Sequence, residues 1–169
     1  RTLMDQYLAI PAAGPSTTIL AEGTTARYFV PLDDSLEATW YGTNFDDANW
    51  PTGTSAFGYE NTPDDYQDLI ETVVRPTDAI AGATSVYLRY SFNVVDPTKF
   101  QNLILRMRYD DGFAAYLNGA LVEQANTTGA IRYNSTASSH TDSLAVNFVN
   151  FPLSGVTLNA GKNVLAIQI

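Results

Sequence analysis

The sequence predicts an all-β chain folded as an antiparallel β-sandwich, and three observations carry that expectation. Short runs rich in β-branched and aromatic residues are separated by Gly, Pro, Asn and Asp. No long stretch keeps a helical period. "YDDGFAAYLNGALV", residues 109–122, sets Asp-Gly and Asn-Gly a few residues apart between hydrophobic runs, a pairing typical of tight β-turns.

Bulk properties agree. A chain of 169 residues, 45% hydrophobic and 16% charged, is long enough for one domain with its own core. The net charge of −9, from 18 acidic and 9 basic residues, argues against nucleic acid and anionic membranes as partners, since both demand a positive surface. No run approaches the roughly 20 apolar residues of a membrane span. Without cysteine there are no disulfides or thiolate metal sites, and His140 is the single histidine, which excludes a multi-histidine metal centre.

Taken in order, residues 1–14 are Ala- and Pro-bearing and are expected to be a linker or the end of an upstream module, with one domain over 15–169. Thr17–Ala21 and Ala26–Pro31 are expected as the opening strands around "EGTT". The long run "WYGTNFDDANWPTGTSAFGYENTPDDYQD", full of aromatics and turn formers, is expected to be irregular surface structure, with a helical turn near Tyr66–Leu69.

Val86–Val95 alternates. Tyr87, Arg89, Ser91 and Asn93 fall on one face and Val86, Leu88, Tyr90, Phe92 and Val94 on the other, which predicts a half-buried strand. Leu103–Tyr109, Phe113–Leu117 and Ala120–Gln124 should form a meander reversed by "DDG" and "NG", because such turns need the positive φ that Gly, Asn and Asp tolerate. "LAVNFVNFPL" and "NVLAIQI" supply two further strands. Arg1 is preceded by no initiator methionine or signal peptide and the last run is strand-like, so both ends are expected to be cut from a longer polypeptide.

The ordered set "W…FDDANW…G…AFGYE", "YLRYSFNV", "LRMRYDDGFAAYLNGALV", "NTTGAIRYN" and "LNAGKNVLAIQI" resembles the galactose-binding-like jelly-roll domain of secreted, multi-modular bacterial proteins, from about Ala21 to Ile169. The resemblance implies a jelly roll appended to an enzyme or cell-surface protein, where such domains bind carbohydrate or act as spacers. It also implies a further C-terminal strand, so the sandwich is expected to be truncated at that edge.

Candidate site residues follow from chemistry. Sugars stack apolar C–H faces on aromatic rings and hydrogen-bond planar polar groups, which suits Trp40, Tyr41, Phe45, Trp50, Phe57 and Tyr59 mixed with Asn44, Asp46, Asp47 and Asn49. The alternative is that these rings plug the end of the sandwich, with Trp50 and Phe57 foremost in the core. Asp110 and Asp111 are adjacent and read as turn formers, one accepting backbone N–H groups and the other solvated, rather than as a glycosidase pair, which must flank the bond at roughly 5–10 Å. Ser138, His140 and Asp142 lie too close in sequence to form a catalytic triad, and read as a polar loop with an exposed histidine. Asn126 and Asn134 match glycosylation sequons.

The expectation is therefore a non-catalytic carbohydrate-binding module of a larger secreted or cell-surface protein, working on a polysaccharide or glycan beside neighbouring domains of the same polypeptide. The alternative is a structural spacer. Trp40, Tyr59 and Tyr133 are the expected stacking rings, with Asp46, Asp47, Asn126 and Arg132 as hydrogen-bonding partners. Asp64, Asp65 and Asp68 could offer oxygens to calcium as a structural ion, although a solvated acidic loop is the favoured reading of them.

Overall fold

A computed structural model describes residues 17–61, 66–79 and 81–169, together with the backbone of residues 2–9. Its strands are β1 (Thr2–Ala9), β2 (Thr18–Leu20), β3 (Thr25–Phe29), β4 (Thr52–Thr54), β5 (Phe57–Tyr59), β6 (Thr72–Val73), β7 (Tyr87–Val94), β8 (Leu103–Asp110), β9 (Phe113–Leu117), β10 (Ala120–Ala125), β11 (Val149–Leu153) and β12 (Gly161–Gln168). Among the described residues these form two six-stranded sheets. One runs β11-β8-β1-β5-β6 with β2 also on β1, and the other runs β10-β9-β12-β7-β3-β4. Every pairing is antiparallel except β5 with β6. The all-β antiparallel sandwich is the fold that the turn-punctuated sequence predicts, and the helical turn expected near Tyr66–Leu69 is a 3₁₀ turn at Gln67–Leu69.

The core lies between the sheets. Leu88 and Tyr90 of β7, Leu105 and Met107 of β8, Phe113, Ala115 and Leu117 of β9, and Leu165 and Ile167 of β12 meet there with Phe57. A second apolar cluster, made by Tyr87, Ala114, Tyr116, Val164 and Ala166, covers the opposite face of the second sheet and packs under Trp40 and Trp50. This second layer explains one departure from the alternation pattern. The two faces of β7 divide as the sequence predicts, yet Tyr87, Leu88, Arg89 and Tyr90 are all buried because the aromatic loop covers the outer face; half-burial begins at Ser91.

Three further differences have physical causes. Residues 1–14 read as a linker, but Thr2–Ala9 forms β1 and pairs with β8 from Leu3↔Asp110 to Ala9↔Ile104. Its run "TLMDQYLA" alternates too poorly to mark a strand, and backbone pairing on both sides defines it instead. The boundary expected at 14/15 lies outside the described residues. The aromatic run is not wholly irregular, since it holds β4 and β5, each three residues long and so too short to show a period.

The third concerns "DDG". β8 and β9 are not a hairpin: β8 pairs with β1 and β11 in one sheet, β9 with β10 and β12 in the other, so the turn carries the chain between sheets. The positive φ expected of the turn glycines occurs in "NG", at Asn118 (φ 53°) and Gly119 (φ 94°), which does join a paired hairpin. Gly112 needs to be glycine for space, because a Cβ there would lie 2.6 Å from the Ala125 carbonyl oxygen and 2.8 Å from the Ala137 Cβ.

Candidate functional site

The corner at Asp110–Gly112 organises one end of the sandwich. Asp110 is 1% exposed, and the Tyr66 hydroxyl donates to its Oδ2. Its Oδ1 is buried without a hydrogen-bond partner among the described residues. Burial raises the Asp110 carboxyl above its ordinary range and the neighbouring Asp111 pushes the same way, against the Tyr66 hydrogen bond. Asp110 is thus not the solvated member of the pair, because the sheet-to-sheet crossing draws it inside.

Asp111 accepts the backbone N–H, as a turn aspartate should, though from a distant residue: the His140 N–H donates to Oδ1 at 3.0 Å. Its carbonyl oxygen accepts from Asn126 Nδ2 at 2.9 Å. Asn126 holds φ at 54°, a conformation that Asn tolerates better than most residues, and its carbonyl accepts from the Ser138 N–H at 2.8 Å. The segment 126–140 is thereby tied onto the corner. His140 is half-buried and not exposed, its ring stacked on Tyr109 at 4.7 Å with a 24° tilt.

Between this corner and the strand ends lies a cleft of about 260 Å³, lined by Tyr59, Thr84, Asp111, Thr127, Ser135 and Gln168 over an apolar floor that includes Phe113 and Ile131. Gln168 Nε2 donates to the Arg132 carbonyl at 2.6 Å. Thr127 Oγ1 is buried and has no partner among the described residues. The Arg75 guanidinium lies 4.8 Å from the Tyr59 ring centre. Hydroxyls, an amide and a carboxylate converging beside an aromatic ring suit a polyhydroxylated ligand.

The aromatic loop does something else. Trp40 is 1% exposed and stacks face to face on Tyr87 at 4.0 Å, so its ring offers no face to a ligand; the core role, the alternative reading, is the one it fills. Trp50 and Phe57 are buried as expected of core members. Arg89 holds the loop from below. Its guanidinium donates to the Trp40 carbonyl, to the Gly42 carbonyl at 3.1 Å and to Asp47 Oδ2 at 2.7 Å. Asp47 is therefore engaged by a buried cation. Asp46 Oδ1 accepts the Ala48 N–H at 3.0 Å and closes a local turn.

The Arg132 backbone borders the Asp111 cleft through Gln168 and Ser135, while its side chain and the Tyr133 N–H turn to Glu37. Arg132 Nη1 lies 3.2 Å from Glu37 Oε1, and the Tyr133 N–H donates to Glu37 Oε2 at 3.3 Å. A more open depression of about 380 Å³ is lined there by Asp34, Glu37, Tyr41, Tyr116 and Arg132. Tyr41 stacks on Tyr116 at 4.4 Å, and burial pushes the Tyr116 hydroxyl up to about 12, with Tyr41 and Glu37 adding to the shift. Of the seven expected ligand residues, Tyr59 lines the Asp111 cleft and Asn126 supports it; the side chains of the others lie elsewhere. Thr84 and Gln168 carried no sequence signal, since isolated hydroxyls and amides look like ordinary loop residues, whereas Thr127 belongs to the "NTTGAIRYN" stretch and Ser135 to the second sequon. Asp111 did carry one, as half of the "DDG" pair.

Asp68 is exposed in the 3₁₀ turn, and Asp64 and Asp65 lie outside the described residues. Among the described residues no group of three or more His, Cys, Asp or Glu side chains could hold a metal ion. Among the described residues no helix is long and apolar enough to cross a membrane.

No family model matches the chain, and no curated protein does. Among solved structures it is similar to the β-glucuronidase of Bifidobacterium dentium complexed with coumarin-3-O-glucuronide, at 14% identity and a TM-score of 0.49 over 98% of this chain and 20% of that one. A β-glucuronidase from an uncultured Clostridium sp. gives 13% identity and a TM-score of 0.49, over 98% of this chain and 22% of that one. The chain thus spans about a fifth of the length of these enzymes.

Proposed function

We propose that this chain is a non-catalytic carbohydrate-binding module of a larger secreted or cell-surface protein, and that the cleft beside Asp111 is where it holds its glycan. One observation carries the reading: Thr84, Asp111, Thr127, Ser135 and Gln168 converge on a single concavity beside Tyr59. Carbohydrate recognition needs such an array, because each hydroxyl stripped of water must find a partner. Hydrolysis is disfavoured by the disposition of the acids. Asp110 is buried under Tyr66 and only Asp111 of the two lines the cleft, whereas glycoside hydrolysis uses two carboxyls that flank the bond.

A structural spacer is the second reading, favoured by the burial of Trp40 and Trp50, which removes two large rings from the surface. A glycan array followed by amide-resolved NMR titration separates the two. Binding is expected to be weak and to shift amides of Thr84, Thr127, Ser135 and Gln168 together. An array without hits, with no shifts in the cleft, leaves the spacer.

A further inference from the structure

Resting on that carbohydrate reading, we infer that the Asp111 cleft takes one neutral pyranose-sized unit and discriminates against the matching uronic acid or sulfated sugar. The charge of the lining is the starting point. Among the described residues that line the cleft, Asp111 is charged and none is basic. The Asp111 carboxyl is also fixed in place, with Oδ1 bonded to the His140 N–H at 3.0 Å and its own carbonyl held by Asn126 at 2.9 Å, so it cannot readily swing away from an incoming anion.

Two basic side chains lie on adjoining segments, outside the described lining. Arg75 lies over the Tyr59 ring at 4.8 Å, and Arg132 is paired with Glu37 at 3.2 Å. A sugar carboxylate entering the cleft therefore meets a like charge at short range, and the described lining itself offers it no charge-assisted partner. The net charge of −9 adds repulsion at longer range.

A neutral sugar meets complementary chemistry. A carboxylate accepts at roughly four lone-pair sites and donates none, and the His140 N–H occupies one of those on Asp111, so sugar hydroxyls can donate to the rest. The Ser135 hydroxyl, which accepts the Arg132 N–H at 2.8 Å, keeps its own proton to donate at the same wall. Size sets the unit. About 260 Å³ is room for one six-membered ring.

The test uses matched methyl glycosides that differ at C6 alone, glucoside against glucuronide and galactoside against galacturonide, titrated into the full chain by NMR at low and high ionic strength, beside an array holding neutral and acidic glycans. The neutral member of a binding pair is expected to be at least about tenfold tighter, with the gap narrowing in salt. Asp111→Asn should shrink the gap by relieving repulsion of the acid. Ser135→Ala should weaken both members alike. A uronide that binds as tightly as its neutral twin overturns the selectivity and leaves the carbohydrate reading standing; no binding by any glycoside or array glycan overturns both. If Asp111→Asn fails to fold, the wild-type pairs at two salt concentrations still decide.

Discussion

Two loop regions dress the sandwich, and they use polar groups in opposite ways. Over the outer face of the second sheet, the 40–50 loop satisfies itself: Arg89 gathers its carbonyls and Asp47, while Trp40 and Trp50 pack down as core. At the Asp111 corner, the 126–140 segment is pinned by a few backbone contacts and leaves hydroxyls and a carboxylate facing a cleft. The aromatic-rich loop is the internally complete one, and the plainer loop is the one that leaves room for a ligand. A cluster of large rings thus marks a demand for burial at least as strongly as a binding surface.

The sharpest way to break this comparison is Arg89→Ala. It strips a buried cation from Asp47 and from the loop carbonyls, and is expected to cost about 3–5 kcal/mol in urea unfolding. A loss below about 1 kcal/mol would mean that the loop does not depend on its anchor.

A smaller, pH-dependent effect belongs to the corner. Burial raises the folded Asp110 carboxyl above its ordinary 3.8, so the folded chain holds that proton more tightly than the unfolded one. The stabilising contribution is fully present below about 3.8 and is lost as pH rises through the elevated folded value. Asp110→Asn keeps the shape and does not ionise. The stability of the wild type minus that of the variant should therefore fall with rising pH across that window, as read from urea midpoints at stepped pH. Asp33 and Asp96, lowered by hydrogen bonds from Ser35 and Thr98, have the opposite slope but are common to both proteins and cancel. A difference that stays flat with pH would remove Asp110 from the account.

The smallest effect is expected of Arg132→Ala. Its ion pair with Glu37 is largely exposed on the arginine side, so stability should change by less than about 1 kcal/mol in the same assay.

How much of this was legible in the sequence depends on what kind of contact each residue makes. Strand faces in β7 and the Asn118-Gly119 hairpin were readable, because alternation and positive φ are local properties. The position of β1 was not, since its pairing partners lie far along the chain. Nor was the second apolar layer on the sheet's outer face, which depends on a loop folding back over it. "DDG" was legible as a turn but not as a crossing between sheets, because the same residues serve both. The cleft was the least legible of all: it joins residues from Tyr59 to Gln168, and lone hydroxyls and amides such as Thr84 and Gln168 do not advertise a role.

The place of β12 has a consequence in time. Its residues Gly161–Gln168 fill the gap between β7 and β9 in the middle of the second sheet, pairing along the whole of β7 and along much of β9. While a ribosome is still making the chain, β7 therefore waits with one hydrogen-bonding edge bare until the segment through residue 168 has emerged. Contacts so distant in sequence make assembly slow, and an unpaired central strand is prone to sticking to other chains. Slowing synthesis after residue 125 should leave this protein more dependent on chaperones than slowing it earlier.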